Sequence, residues 1–367
     1  MIEYARGKIR VLIVEDSRVA QQLLVHILTA DRVIEVVGVV DNGEEALAAV
    51  QRLRPDIVTM DIHMPKLDGY EATRAIMETQ PTPIIIVSAS TNVKDVASTF
   101  RAMEAGALAV LARPPGPNDP SYEQEAQALV QTVKLMSEIK LVKRTPRPKP
   151  APTPHSIAPW SDPLNAANIH VVAIGASTGG PQVLHTILSG LRSDCGVPVL
   201  IVQHIAPKFV AGFVEWLSGS AHFPVSIASA GEALLPGHGY VAPDGFHLGV
   251  GGGPRIALSE SPYENGVRPS ADHLFHSVAE VFGPHAVGVL LTGMGKDGAV
   301  GLAELKRKGA ITVVQDEASS VIFGMPGEAV KLGAASHVLP PEGIATLLAV
   351  MTRAKPATIN RIDSGQR

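Results

Sequence analysis

The amino-acid sequence predicts an α/β protein with two domains, each a doubly wound parallel sheet. Three observations lead to this prediction. Short apolar runs alternate with amphipathic stretches in both halves of the chain, and a proline-rich segment separates the halves. The length of 367 residues also suits two domains of ordinary size.

In the first half, five apolar runs alternate with five helix-like stretches. The predicted strands are Ile9–Val14, Val33–Val40, Asp56–Met60, Pro83–Val87 and Ala107–Leu111. The predicted helices are Ser17–Thr29, Glu44–Leu53, Gly69–Glu78, Val93–Glu104 and Tyr122–Val142. Repeated strand–helix alternation favours a parallel sheet, because each helix carries the chain back to start the next strand in the same direction.

The second half repeats the pattern with one interruption. Its predicted strands are Ile169–Ile174, Val197–Val202 and Ala286–Leu291. Its predicted helices are Pro181–Leu191, Phe209–Ser218, Ala271–Phe282 and Ala299–Lys308. Between Val225 and Leu258 the chain is rich in glycine and in β-type residues, which predicts an antiparallel excursion rather than another strand–helix unit.

The segment 143–168 contains seven prolines and a basic first part. Such a composition favours extended backbone and cannot form a core, so we interpret it as an interdomain linker. An ordered strap along a domain surface is the alternative. The predicted domains are therefore 8–142 and 169–351.

Composition excludes several function classes. A net charge of −4 does not indicate binding to nucleic acid or to an anionic membrane. The single cysteine, Cys195, fits a reducing compartment and is expected to be a small apolar filler. The N-terminus lacks a signal-peptide core, and no apolar run reaches the roughly 18 residues of a membrane span. We expect a soluble, cytoplasmic protein with no membrane insertion.

Polar side chains follow the strands of the first predicted sheet. Glu15 and Asp16 follow the first strand, Asp61 the third, Ser88 the fourth and Arg113 the fifth. In an open parallel sheet these positions share one edge, where ligands bind. Three converging carboxylates repel one another unless a hard cation joins them, so the pattern favours a Mg²⁺ site and a carboxylate that accepts a phosphoryl group. Ordinary helix-capping acids are the alternative.

Residues 8–142 resemble the receiver domain of two-component response regulators, a flavodoxin-like fold. The match rests on Met60-Asp61-Ile62-His63-Met64-Pro65, followed by Asp68-Gly69. The resemblance implies that Asp61 is phosphorylated and that Glu15, Asp16 and Asp61 bind Mg²⁺ with the carbonyl of His63. It also implies that Ser88 hydrogen-bonds the phosphoryl group.

Two positions depart from the receiver pattern. Arg113 stands where the family has a lysine, and a planar guanidinium is not interchangeable with an ammonium. Val110 stands at the usual aromatic switch position. Phosphorylation at Asp61 is still expected. The two departures question whether phosphorylation is followed by the family's conformational change. The domain could instead serve mainly as a docking surface.

In the second domain a serine, a histidine and an aspartate follow three strands of one predicted sheet. Ser177 lies in the turn 175–179, His204 follows the next strand, and Asp297 follows the strand that ends at Leu291. A G-x-S-x-G turn projects its serine upward, and Gly179 lets a substrate approach the backbone. His204 could then accept the serine proton while Asp297 orients the imidazole.

Alternatives remain open from the residues alone. A G-x-S-x-G turn occurs by chance, and this one could be a dinucleotide loop, although the G-x-G-x-x-G pattern is missing. The competing residues are His185, His273 and His276 for the base, and Asp244 and Asp272 for the orienting acid.

Residues 169–350 resemble the catalytic domain of the chemotaxis protein-glutamate methylesterases, a Rossmann-like fold. The match rests on four segments and a fifth that follows them: 174–181, 203–205, 291–298, 315–320 and 323–327. A receiver, a linker and this domain in that order is the family's architecture. The resemblance implies that Ser177, His204 and Asp297 form the triad. It further implies that Thr178 and Gly179 form the substrate loop and that the amide of Met294 stabilises the oxyanion.

The implied reaction is hydrolysis of glutamate γ-methyl esters on methyl-accepting chemotaxis receptors, with deamidation of glutamines in some members. It needs no cofactor beyond Mg²⁺ in the receiver, and the implied kinase is the chemotaxis histidine kinase. Two alternatives stand beside it: a non-catalytic signalling adaptor, and the same esterase in a pathway other than motility.

Overall fold

The computed structural model describes residues 7–89, 92–139, 169–191 and 195–353. The predicted linker 143–168 lies outside the described residues. Two α/β units are present, and no helix in the described part of the chain is long and apolar enough to cross a membrane.

The first unit is a five-stranded parallel sheet in the order β2-β1-β3-β4-β5. Its strands are β1 (Ile9–Val14), β2 (Ile34–Val40), β3 (Ile57–Met60), β4 (Ile84–Ser88) and β5 (Ala109–Ala112). Its helices are α1 (Arg18–Thr29), α2 (Gly43–Leu53), α3 (Gly69–Thr79), α4 (Val93–Glu104) and α5 (Tyr122–Ser137). Two cores cover the two faces of the sheet, since successive strand residues point to opposite sides.

Sequence and structure agree on every element of this unit, with shifts of a few residues at the ends. The largest shift is in α5, which ends at Ser137 rather than continuing to Val142 as predicted. Ser17 is the N-cap of α1, and its hydroxyl accepts a hydrogen bond from the amide of Ala20.

The second unit is a seven-stranded parallel sheet in the order β14-β13-β12-β6-β7-β9-β8. Its strands are β6 (Val171–Ala176), β7 (Val199–Gln203), β8 (Val225–Ile227), β9 (Gly239–Val241), β12 (Ala286–Leu290), β13 (Ile311–Gln315) and β14 (His337–Leu339). Its helices are α6 (Gly180–Gly190), α7 (Val210–Ala221), α8 (Ala271–Val281), α9 (Ala299–Arg307), α10 (Met325–Lys331) and α11 (Pro341–Met351). The two-doubly-wound-sheet prediction is confirmed.

The predicted antiparallel excursion is correct for only part of its range. Strands β10 (His247–Gly251) and β11 (Arg255–Ser259) form an antiparallel hairpin. Strands β8 and β9 instead join the main sheet in parallel, which the prediction missed because each has only three residues between glycine-rich turns. The hairpin packs against α8, where Val250 and Ile256 enter the core.

The sheet order determines where side chains can converge. Strand β6 lies between β7 and β12, so the chain leaves β6 in one direction for β7 and later returns to its other side. This is the switch point of a doubly wound sheet, where the carboxyl ends of neighbouring strands open a crevice. Ser177, His204 and Asp297 all follow one of these three central strands.

The two units pack together through α4 of the first and α7 of the second. Phe100 of α4 contacts two aromatic rings of α7, with centroid distances of 5.3 Å to Phe213 and 5.7 Å to Trp216. The indole nitrogen of Trp216 donates to Glu104 Oε1 at 2.7 Å. Gly212 permits this close packing, because a Cβ there would lie 2.5 Å from Val96 Cβ.

Candidate active site

Ser177 lies in the tight turn between β6 and α6. Its amide donates to the carbonyl of Thr292 at 3.0 Å, which ties the turn to the end of the neighbouring strand β12. Gly179 has φ +81 and caps α6, a conformation that favours glycine. Gly293 packs so closely on the serine that an added Cβ would lie 2.6 Å from Ser177 Cβ. The turn is thus a tight strand-to-helix reversal of the predicted kind.

His204 and Asp297 are in direct contact. His204 Nε2 lies 2.9 Å from Asp297 Oδ2, and both side chains are largely buried, at 15% and 4% exposure. The backbone of His204 donates to the carbonyl of Ala176, the residue before Ser177. Because Nε2 is engaged by the carboxylate, Nδ1 is the ring nitrogen left to accept a proton from another group.

The carboxylate of Asp297 is held in its charged form. Burial alone would raise its pKa, but hydrogen bonds from His204, Ser270 and the amide of Ala271, with the charge of His204, lower the pKa to about 2. Ser270 and Ala271 begin α8, whose N-terminal amides favour an anion. The aspartate is therefore ionised at any physiological pH.

Side chains that sequence reasoning did not single out support these groups. The Gln203 amide nitrogen donates to the carbonyls of Ser177 and His204 at 2.9 and 2.8 Å. The Thr292 hydroxyl donates to the carbonyl of Thr178 at 3.0 Å. The amide of Thr292 donates to Gln315 Oε1 at 2.8 Å. Gln203 and Gln315 each end a buried strand, a position that would have suggested a bridging role.

The competing residues have other partners. The ring of His185 stacks on Trp216, whereas Nδ1 of His273 and of His276 contacts a glutamate. Asp244 accepts a hydrogen bond from the amide of Lys208 at 2.8 Å. Asp272 lies beside Asp297 but contacts no histidine among the described residues.

The first unit covers one side of this crevice. A cavity of about 380 Å³ is lined by Ser177 and His204 on one wall and by Phe100, Val110 and Leu111 on the other. Val321 and Ile322, from the loop after β13, also pack against the core of the first unit. Ser177 and His204 therefore line a cavity that residues of both units enclose.

The predicted carboxylate cluster is present in the first unit. One oxygen from each of Glu15, Asp16 and Asp61 lies within 4.8 Å of the others. Burial raises the pKa of Glu15 and of Asp61, and a neighbouring carboxylate contributes in each case. Glu15 Oε2 is buried and has no hydrogen-bond partner among the described residues, so the donor set fits a hard cation such as Mg²⁺.

Val110 lies within β5, and Arg113 directly follows that strand. Arg113 Nη1 donates to Glu15 Oε1 at 3.1 Å, so the guanidinium partly neutralises the cluster. Val110 is half-buried and faces the interdomain cavity. Ser88 is buried at the end of β4, the strand next to β3.

Comparison with known proteins follows this two-unit division. Residues 172–348 match the family described as CheB methylesterase, and residues 11–119 match the response regulator receiver domain. A relative from Geobacter metallireducens, named protein-glutamate methylesterase/protein-glutamine glutaminase 4, is 54% identical over 352 residues, covering 95% of this chain and all of the relative. The chain belongs to this methylesterase family.

A second relative supports the assignment. The protein-glutamate methylesterase/protein-glutamine glutaminase 1 of Syntrophus aciditrophicus is 54% identical over 344 residues, 93% of this chain and 97% of the relative. Among solved structures, the CheB methylesterase catalytic domain of Thermotoga maritima is 35% identical, with TM-score 0.48, covering 49% of this chain and 97% of that one. This chain matches both a methylesterase and a receiver domain, and its relatives are named as hydrolases, so the predictions of family and enzyme class are confirmed.

Proposed function

We propose that Ser177, His204 and Asp297 are the catalytic triad of this methylesterase, acting on glutamate γ-methyl esters of chemoreceptor cytoplasmic helices. The observation that supports this best is the 2.9 Å contact between His204 and an ionised Asp297 at the switch point that also presents Ser177. Asp297 fixes the tautomer and orientation of the imidazole, leaving Nδ1 to act as the base.

The reaction proceeds in two steps. His204 accepts the hydroxyl proton as Ser177 Oγ bonds to the ester carbonyl carbon, and the C–O bond to methoxide then breaks as His204 returns the proton, releasing methanol. Water, deprotonated by His204, then attacks the acyl carbon. The bond from that carbon to Ser177 Oγ breaks as His204 returns the proton to Oγ, which releases glutamate and regenerates the serine. The same sequence on a glutamine amide would release ammonia, the reaction that the second half of the relatives' name describes.

The oxyanion is stabilised by backbone amides near Ser177. In the described part of the chain, the amides of Thr178 and Met294 donate to no protein oxygen. An amide that directly follows a nucleophile at such a turn is a usual oxyanion donor. Neither donation requires a cofactor.

Covalent labelling tests the nucleophile. A fluorophosphonate probe is expected to modify the full chain at one site, and peptide mass spectrometry should locate the adduct on Ser177. Labelling should be slowed in His204→Ala, because the hydroxyl then lacks its base, and retained in His185→Ala as a matched histidine control. An adduct on another residue would contradict the triad assignment.

We further propose that the receiver domain regulates access of the substrate to Ser177. Asp61 accepts a phosphoryl group from the chemotaxis histidine kinase. Mg²⁺ would be held by Glu15, Asp16, Asp61 and the carbonyl of His63. Bound there, Mg²⁺ would neutralise charge during phosphoryl transfer. Ser88 and Arg113 contact the phosphoryl oxygens, Arg113 by leaving Glu15. Phosphorylation shifts the population from the covered arrangement to an open one.

Loosening the domain contact is expected to raise basal activity. Glu104→Ala removes the acceptor of the Trp216 indole, and a hydrogen bond to a charged group contributes about 1.5–3 kcal/mol, so the open population should grow about tenfold or more. The measurement is the initial rate of methanol release from a methylated receptor fragment without a phosphodonor.

The control for this prediction is Glu78→Ala, an exposed glutamate near the end of α3. Acetyl phosphate with Mg²⁺ should accelerate the wild type and the Glu78 variant, and it should leave Asp61→Asn unchanged. If Glu104→Ala behaves like Glu78→Ala, the α4–α7 contact does not limit access.

A further inference from the structure

The carboxylate of Asp297 has more hydrogen-bond partners than orientation of a histidine requires. Oδ1 accepts from the Ser270 hydroxyl at 2.6 Å and from Asn265 Nδ2 at 3.0 Å. Oδ2 accepts from the amide of Ala271 at 2.6 Å in addition to contacting His204. Apart from His204, Asn265 is the one partner among these that lies outside α8 and its cap, so its contact needs a separate explanation.

A second buried carboxylate lies beside Asp297. Asp272 is 5% exposed, and its Oδ1 accepts from the amide of Gly301 at 2.6 Å. Burial raises the pKa of Asp272, and the charge of Asp297 raises it further. Two carboxylates in one largely buried place repel each other, and without a donor between them one would shift away or take up a proton.

The Asn265 amide is that donor. Its Nδ2 lies 2.7 Å from Asp272 Oδ2 and 3.0 Å from Asp297 Oδ1. A primary amide carries two N–H groups, so it can give one to each carboxylate. A lysine or arginine would also bridge two anions, but its full charge would weaken the field that Asp297 exerts on His204. The neutral amide separates the carboxylates while leaving that field intact.

The backbone holds this amide in place. Glu264 and Val267 exchange two backbone hydrogen bonds, of 3.2 and 3.0 Å, and enclose a two-residue turn. Asn265 and Gly266 have φ of +53 and +79, which is the pattern of a type I′ hairpin turn. Asparagine and glycine adopt this conformation more readily than other residues. The turn is therefore short and stiff, and the side chain of Asn265 reaches the two carboxylates.

We propose that Asn265 is a positioning residue for ester hydrolysis. By donating hydrogen bonds to Asp272 and Asp297 together, it keeps the Asp297 carboxylate in place for its hydrogen bond with His204. This inference rests on the proposed triad. It concerns the loop between β11 and α8, which contains no predicted site residue. Asn265 itself is solvent-exposed on its outer side, so its replacement should leave the core intact.

Two substitutions distinguish the effect of the Asn265 side-chain amide from the effect of the turn conformation. Asn265→Gly keeps the left-handed backbone and removes the amide, whereas Asn265→Asp keeps the shape and replaces the donor by an acceptor. We expect kcat of the full chain to fall about tenfold in the first and about a hundredfold in the second, with KM for a methylated receptor fragment unchanged. The downfield imidazole N–H resonance of the His204–Asp297 hydrogen bond should shift or broaden in both.

A matched control and a rescue test complete the experiment. His222→Gly replaces another exposed residue with positive φ, at the end of α7, and should leave kcat and the resonance unchanged. In an Asp272→Asn background the repulsion is gone, so Asn265→Gly should cost less than it does in the wild type. The proposal is overturned if Asn265→Gly leaves kcat unchanged. It is also overturned if Asn265→Gly lowers kcat as much in the Asp272→Asn background as in the wild type. Activity that persists in Ser177→Ala would instead refute the triad, which keeps the two failures distinct.

Discussion

Ser177→Ala is expected to abolish ester hydrolysis by the full chain, lowering kcat by about 10⁴-fold or more. The alanine has no oxygen to form the acyl-enzyme, while the amides near residue 177 and the binding surface remain. KM for a methylated receptor fragment should therefore change little. The measurement is the rate of methanol release at a saturating concentration of the methylated receptor fragment. Acetyl phosphate and Mg²⁺ are present so that the receiver domain does not block access to residue 177.

The control for the serine variant is Ser189→Ala, in the last turn of α6 and on the exposed side of the same helix. It should retain wild-type turnover and fluorophosphonate labelling. Turnover within tenfold of the wild type in Ser177→Ala would show that another group is the nucleophile. Receptor-fragment binding without any turnover in the wild type would favour the adaptor alternative.

Asp297→Asn is expected to lower kcat by about 10⁴-fold, because an amide can present its NH₂ to His204 and stabilise the wrong tautomer. It should also reduce stability. The pKa of Asp297 is about 2 against an ordinary 3.8, so its ionisation stabilises the fold by at most about 2 kcal/mol at neutral pH. This contribution is complete above about pH 4 and is lost as the pH falls through 2.

Urea unfolding of the wild type and of Asp297→Asn at pH 7 and pH 2.5 measures this effect. The difference between their unfolding free energies should be largest at pH 7 and should shrink at pH 2.5, where much of the carboxylate charge is lost. Asp244→Asn serves as the control, because burial raises the pKa of Asp244 and its replacement should not show this pattern. A difference that is equal at both pH values would contradict the assigned ionisation.

Ser177, His204 and Asp297 could be predicted because each follows a buried parallel strand. Strand direction alone then places the three side chains at one edge of the sheet. The same reasoning brought Glu15, Asp16 and Asp61 together. These predictions need only the element order, which apolar periodicity indicates.

The residues that surround Asp297 could not be predicted in this way. Asn265 and Ser270 belong to a loop and a helix cap, and their approach to Asp297 depends on how α8 packs against the sheet. The Asn265-Gly266 pair could have indicated a hairpin turn, but no local pattern indicates that the turn ends between two carboxylates. The contact of Glu104 with Trp216 depends on how the two domains dock, which no periodicity encodes.

The close packing of Val96 on Gly212 has an evolutionary consequence. Because the receiver helix α4 lies against a residue without a side chain, positions 96 and 212 should vary together among relatives, although they belong to different domains. A receiver transplanted from a relative with a bulkier residue at position 96 should dock poorly on this hydrolase. We therefore expect the two domains to be inherited as a matched pair rather than as interchangeable modules.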